Sequence, residues 1–219
     1  ITSGDALSIA NIGSSSDIFI NNTINNDLSG NNFTLGPRSV SIHSGRDLFL
    51  RPTSILSNGT IGLIAADNFY SDFQDSFGAI SQIQTPGNVL IQAGASIAPI
   101  HSYYGNQTLS IAGADLSLTA GTGSYSGLQN NLTSLTASSG NIAITAATDI
   151  NANNQTLTAT SGAITLSASG GNITSGTLSA PSASTGKITL TASAGITTNG
   201  PITSGDALSI ANIGSSSDI

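Results

Sequence analysis

Few residues in this chain are equipped for chemistry. The two histidines, His43 and His101, lie far apart in a sequence with no Cys and no Glu. A zinc centre needs three or four convergent ligands, and neither His sits in an H-E-x-x-H spacing. Serine is abundant, yet no G-x-S-x-G elbow presents one as a nucleophile. The reading is a protein that is not an enzyme, with no cofactor and no catalytic metal. Asp67, Asp72 and Asp75 gather beside Asn68 in an oxygen-rich segment of the kind that can hold calcium. Neither the EF-hand pattern nor the glycine-rich nonapeptide repeat is present, so a solvated acidic loop is preferred over a calcium site.

Aromatic side chains are the sharper candidates for ligand or partner contact. Phe69, Tyr70, Phe73 and Phe77 fall in one short stretch, and Tyr103 and Tyr104 in another. A ring packs on the apolar face of a sugar while neighbouring amides and carboxylates bond its hydroxyls. The competing reading is a loop that packs its own aromatics as a satellite core or buries them against a partner. Arg38, Arg46 and Arg51 form a small basic group beside Asp47, and local ion pairing accounts for them. Only four cations stand against eleven acids, for a net charge of −7. That balance excludes nucleic acid as a partner, because a phosphate backbone needs a basic face.

These candidates must be carried by strands. An apolar–small–apolar triplet recurs along the chain, as in Leu48-Phe49-Leu50, Leu116-Ser117-Leu118, Ile142-Ala143-Ile144, Ile164-Thr165-Leu166 and Ile188-Thr189-Leu190. Alternation of this kind has the strand period of two, with the outer residues facing a core and the middle one facing out. Ser-Gly, Gly-Asn and Asn-Gly mark the turns. The last four triplets begin at Ile142, Ile164, Ile188 and Leu208, a nearly even step. A strand-only repeat of that length points to a β-solenoid, in which each rung is too small to bury its own apolar face and stacking completes the core. Ser, Thr and Asn stacked on successive rungs can bond to one another along the axis. A sandwich array of immunoglobulin-like modules is the rival. The absence of Trp, and of any aromatic after Tyr125, argues against it. Charged residues are 7% of the chain and hydrophobic residues 38%, so the ordered apolar pattern outweighs disorder.

A longer repeat encloses the short one. Ile1 to Ile18 returns letter for letter as Ile202 to Ile219. Residues 1–201 therefore read as one tandem unit of a continuous solenoid with about nine rungs, and 202–219 as the start of the next. Within the unit, 18–125 carries all the aromatics and reads as a decorated part, with loops at 66–78 and 99–105. Residues 126–201 read as plain coils.

At Gly140-Asn141-Ile142-Ala143-Ile144-Thr145-Ala146, and again from Gly186-Lys187-Ile188-Thr189-Leu190 to Thr198, the sequence resembles the shaft repeats of filamentous-haemagglutinin-type exoproteins. These are the large adhesins that Gram-negative bacteria export by two-partner secretion. The resemblance is best over roughly 106–219. It implies a right-handed parallel β-helix, an outer-membrane export partner, and a place on the bacterial surface or in a secreted filament.

The function expected is therefore structural: a stiff rod serving adhesion, cell–cell cohesion or a biofilm matrix. Its partners would be neighbouring copies of the repeat, other rods side by side, and a polysaccharide or cell-surface receptor. The alternative is that each unit is a carbohydrate- or protein-binding module using the aromatic loops.

Overall fold

A computed structural model of the protein describes residues 6–11, 16–20, 24–26, 39–50, 54–72, 80–101, 108–127 and 133–214. Among them every regular element is a β-strand, and the ladders between strands are parallel. The chain is a β-solenoid.

Three ladders run along it. The first is a nine-stranded sheet from Leu7–Ala10 through Val40–Ser44, Ile61–Ala65, Val89–Ala93, Leu116–Ala120, Ile142–Ala146, Ile164–Ala168 and Ile188–Ala192 to Leu208–Asn212. Its register never slips. Leu7 pairs with Val40, Val40 with Ile61, Ile61 with Val89 and Val89 with Leu116. Leu116 then pairs with Ile142, and the same column continues through Ile164 and Ile188 to Leu208. A one-residue slip would turn a strand's apolar set outward, so the fixed register is the direct product of the triplet pattern. The unit thus takes eight coils to travel from Leu7 to its duplicate Leu208, rather than about nine. The reason lies in the first half, where the column falls at Leu7, Val40, Ile61, Val89, Leu116 and Ile142. Apart from the short step between Val40 and Ile61, these positions are more widely spaced than Ile142, Ile164, Ile188 and Leu208. The early coils are longer, and fewer of them fill the unit.

The second face is built by Ile18–Ile20, Leu48–Leu50, Phe69–Asp72 and Ile97–His101. Bridges from Ile97 to Tyr125 and from Tyr125 to Ile150 carry it upward. Above them, Ile150–Ala159 and Ile173–Ala180 are long strands that bend round a corner and serve two faces, with a break in register between Ala152 and Thr156. The third face stacks Ile55, Ile83, Ile111, Leu135, Leu157 and Leu178.

The core is what these columns bury. Ile42, Leu63, Ile91, Leu118, Ile144, Leu166 and Leu190 are fully shielded, and so is the second-face column that includes Leu48, Phe69, Ile97 and Tyr125. Each such side chain contributes about 1.5–3 kcal/mol relative to exposure. No coil has an apolar layer of its own; each completes the layer of its neighbours.

Part of each of the segments 66–78 and 99–105, expected as loops, lies in a strand, and residues 73–78 and 102–105 fall outside the described residues. Residues 69–72 form a strand in register with Leu48–Leu50, and 97–101 form the strand above it. Phe69-Tyr70-Ser71 repeats the in–out–in placing of Leu48-Phe49-Leu50, and the surrounding Asp and Phe residues mask that alternation in the sequence.

Corners are held by side chains that reach to the next coil. The residue just before each second-face strand is polar or small. Asp47 Oδ1 accepts the backbone N–H of Asn68 at 2.9 Å, and Asn68 Oδ1 accepts that of Ser96 at 3.2 Å. Higher up, Asp149 Oδ1 accepts from Asn172, and Asn172 Oδ1 accepts the N–H of Gly195 at 2.8 Å. The opposite corner does the same with Asp115, whose Oδ1 accepts the Asn141 N–H at 2.7 Å, and with Asn141, whose Oδ1 accepts that of Ala163 at 2.8 Å. These bonds satisfy donors at the turns, where the sheet ladders end.

Candidate functional site

Outward-facing residues of the second face form one file along the axis, and its lower part is aromatic. Phe19 and Phe49 stack with centroids 4.5 Å apart and planes 11° from parallel. Tyr70 follows at 5.2 Å, tilted by 32°. The register that pairs Phe19 with Phe49, and Phe49 with Tyr70, places each ring one coil above the last. Offset-stacked pairs at such distances add about 0.5–1.5 kcal/mol each beyond area burial. Phe19 is 47% exposed, so the file is a surface feature.

Charges flank these rings on the neighbouring corner. Arg46 donates from Nε to Asp17 Oδ1 at 2.6 Å and pairs with Asp17 Oδ2 at 2.5 Å, with Asp47 Oδ2 3.8 Å away. The Arg46 hydrogen bond holds the Asp17 carboxyl below the usual carboxylate range. The Tyr70 hydroxyl is pushed above its ordinary value, first by partial burial and then by the negative charges of Asp47 and Asp67.

Above the rings the file changes character. Ala98 stands over Tyr70, and the residues that follow are Ser126, Asn151, Thr174 and Thr197. A cavity of about 460 Å³ opens here, lined also by Ser124, Asp149, Ile150 and Asn172. On the third face a second hollow, of about 380 Å³, is lined by residues including Gln82, Gln84, Pro86 and Thr136.

The candidates named from the sequence are dispersed. Phe69 points inward and is fully buried, so it has no face to offer a ligand at the surface. Tyr70, its neighbour, points out and belongs to the aromatic file. Phe73, Phe77, Tyr103 and Tyr104 lie outside the described residues, as do Asp75, Arg38 and Arg51. Asp67 is exposed at a corner, and the backbone of Asp72 pairs with that of His101 one coil on. His43 stands exposed on the first face, in register with Ile64. Among the described residues no group of three His, Asp or Glu converges as a metal site would require.

No protein-family model, curated protein or solved structure matches this chain.

What the surface can do follows from its own side chains. Two residues of the file, Phe19 and Phe49, were not singled out by sequence reasoning. Their signal is present in Ile18-Phe19-Ile20 and Leu48-Phe49-Leu50, where the middle residue faces out. An outward Phe on two successive coils is costly in water unless the rings cover one another, and that is the arrangement observed.

Proposed function

We propose that residues 1–201 are a structural repeat of a giant extracellular adhesin or surface filament, of the filamentous-haemagglutinin type that residues 140–146 and 186–198 resemble. Its work is reach and cohesion, without catalysis. It would be exported through an outer-membrane partner and displayed on a bacterial surface.

The observation that carries the reading is how the repeat closes. Leu7 and Leu208 are the same position of the duplicated segment, and they share one column of one sheet. A whole number of coils separates them, so a following unit would enter in phase and the core would run on without a seam. Sequence identity alone does not require this; a duplication of fractional coil number would kink or break the stack.

Two consecutive units expressed as one chain test the idea. Small-angle scattering should show a rod of unchanged cross-section, longer by about 38 Å for eight coils at roughly 4.8 Å each. A second unit that packs beside the first, thickening the particle, sinks the proposal. Surface placement is tested separately: protease added to intact cells should digest the native protein, and complete protection would refute it.

A further inference from the structure

The second-face file is aromatic up to Tyr70 and polar beyond Ala98, and the polar part coincides with the 460 Å³ cavity. From Ser126 to Thr197 the file rises three coils, about 14 Å, and from Tyr70 five coils, about 24 Å. Each step from Ser126 upward presents one side chain able to bond a hydroxyl. Among the described residues, the hydroxyls of Ser126, Thr174 and Thr197 have no protein partner. Asn151 Oδ1 accepts the N–H of Asn153 at 3.2 Å, which leaves its NH₂ group directed to no described residue. Asp149 uses Oδ1 for the corner bonds to Asn172, at 2.7 and 3.1 Å, so Oδ2 is left over as an acceptor.

We propose that this axial groove binds a linear, neutral polysaccharide strand, with Tyr70 as the ring platform at its lower end. Three features select that chemistry. The lining offers hydroxyls, amides and a single carboxylate but no cation, on a chain of net charge −7; anionic glycans are repelled. Its polarity leaves nothing for a lipid. The stacked coils give a straight run of groups with a regular one-coil spacing, close to the length of a sugar residue, so successive residues of an extended glycan meet successive coils. Tyr70 suits the end position because Ala98 sets only a methyl group above it, while Phe19 and Phe49 cover one another. The inference goes beyond the rod reading and stands whether or not units recur in tandem.

The test is titration of the full chain with hexasaccharides of glucose, mannose and N-acetylglucosamine, with hexagalacturonate as the anionic control, by calorimetry and by NMR of the side-chain amides. At least one neutral hexasaccharide should bind, hexagalacturonate should not, and the Asn151 amide resonances should shift. The double variant Thr174→Val/Thr197→Val should bind about tenfold more weakly, as expected for the loss of one or two hydrogen bonds, and Tyr70→Ala should weaken binding as well. The proposal is overturned if no neutral sugar binds, if hexagalacturonate binds equally, or if the double variant matches wild type. Should a variant fail to fold, the wild-type Asn151 signal decides: shifted at saturation it supports the groove, unmoved it places the sugar elsewhere and overturns it.

Discussion

Tyr125 donates its hydroxyl to Gln155 Oε1 at 2.7 Å inside the rod, where both side chains are buried. Gln155 Nε2 and, also in the interior, Ser175 Oγ find no partner among the described residues. This is a polar inclusion in an otherwise apolar column, whose neighbours include Leu48, Phe69 and Ile97. Tyr125→Phe removes the donor and leaves both ends of the Gln155 amide without a described partner. The expected cost is about 1–3 kcal/mol, read as a lower melting temperature. The double variant Tyr125→Phe/Gln155→Leu should regain most of it; a double variant as unstable as the single one would contradict this account.

The same tyrosine sets an alkaline limit. Burial pushes its hydroxyl above the ordinary value. In the unfolded chain the phenol ionises near pH ~10, while in the rod it stays protonated. Above that pH the unfolded state binds fewer protons, so stability falls as pH rises, by up to about 1.4 kcal/mol per unit for this group. Denaturant midpoints measured from neutral pH to well above the ordinary tyrosine range should decline for wild type and decline less for Tyr125→Phe.

Corner ladders should be separable from the core. Asp149→Ala deletes the acceptor for both the N–H and the side-chain amide of Asn172. The site is exposed and water replaces part of the loss, so about 1–2 kcal/mol is expected. Leu166→Ala in the fully buried column should cost about 2–5 kcal/mol. Equal losses in urea titration would show that the corners matter as much as the core.

Two glycines should respond in opposite directions. A Cβ at Gly121 would sit 2.6 Å from the backbone oxygen of Gly94, one coil below. Gly121→Ala must therefore push coils apart, and a loss of about 1–3 kcal/mol is expected. Gly62, inside the strand Ile61–Ala65, has nothing within 4 Å of the same atom. Gly62→Ala should raise stability by about 0.4–1 kcal/mol. Thermal melts of the two variants check both signs.

Phe49 lies between the rings of Phe19 and Tyr70, whereas Tyr70 has Ala98 on its upper side. Phe49→Ala should therefore cost more than Tyr70→Ala, with about 0.5–1.5 kcal/mol for each stack removed. A larger loss for Tyr70→Ala in a thermal melt would mean that the file is not held by ring-on-ring contact.

The fold was open to reading from the triplets because each alternates over a full strand and returns at nearly regular steps. Ile142, Ile164, Ile188 and Leu208 mark one column in the sequence as they do in space. The aromatic file was only half visible. Phe69 and Tyr70 are neighbours in sequence but face opposite ways across a strand, and grouping them by proximity joined a core residue to a surface one. Phe19, Phe49 and Tyr70 are distant in the sequence and unevenly spaced. Only the coil lengths bring them together, and those lengths vary most in this half of the unit. The ladders along the axis were anticipated as like residues bonding to like, as Ser110 and Ser134 do at 3.3 Å. The corners instead use a carboxylate or amide oxygen that accepts a backbone N–H from the coil above, a geometry the residue types do not announce.

Among the described residues the ladders tie each coil to the coil before and the coil after, and one side-chain bond, from Asn199 Nδ2 to Asn153 Oδ1 at 2.7 Å, reaches across two. The sequence has no cysteine to lock one turn to another. Under a pulling load such a rod can come apart one turn at a time from an end. A turn of about 22 residues that adds roughly 4.8 Å when wound becomes about 75 Å of extended chain when released. Length is thus held in reserve. A tether built this way would yield in steps and absorb work, where a rigid strut of the same composition would simply snap.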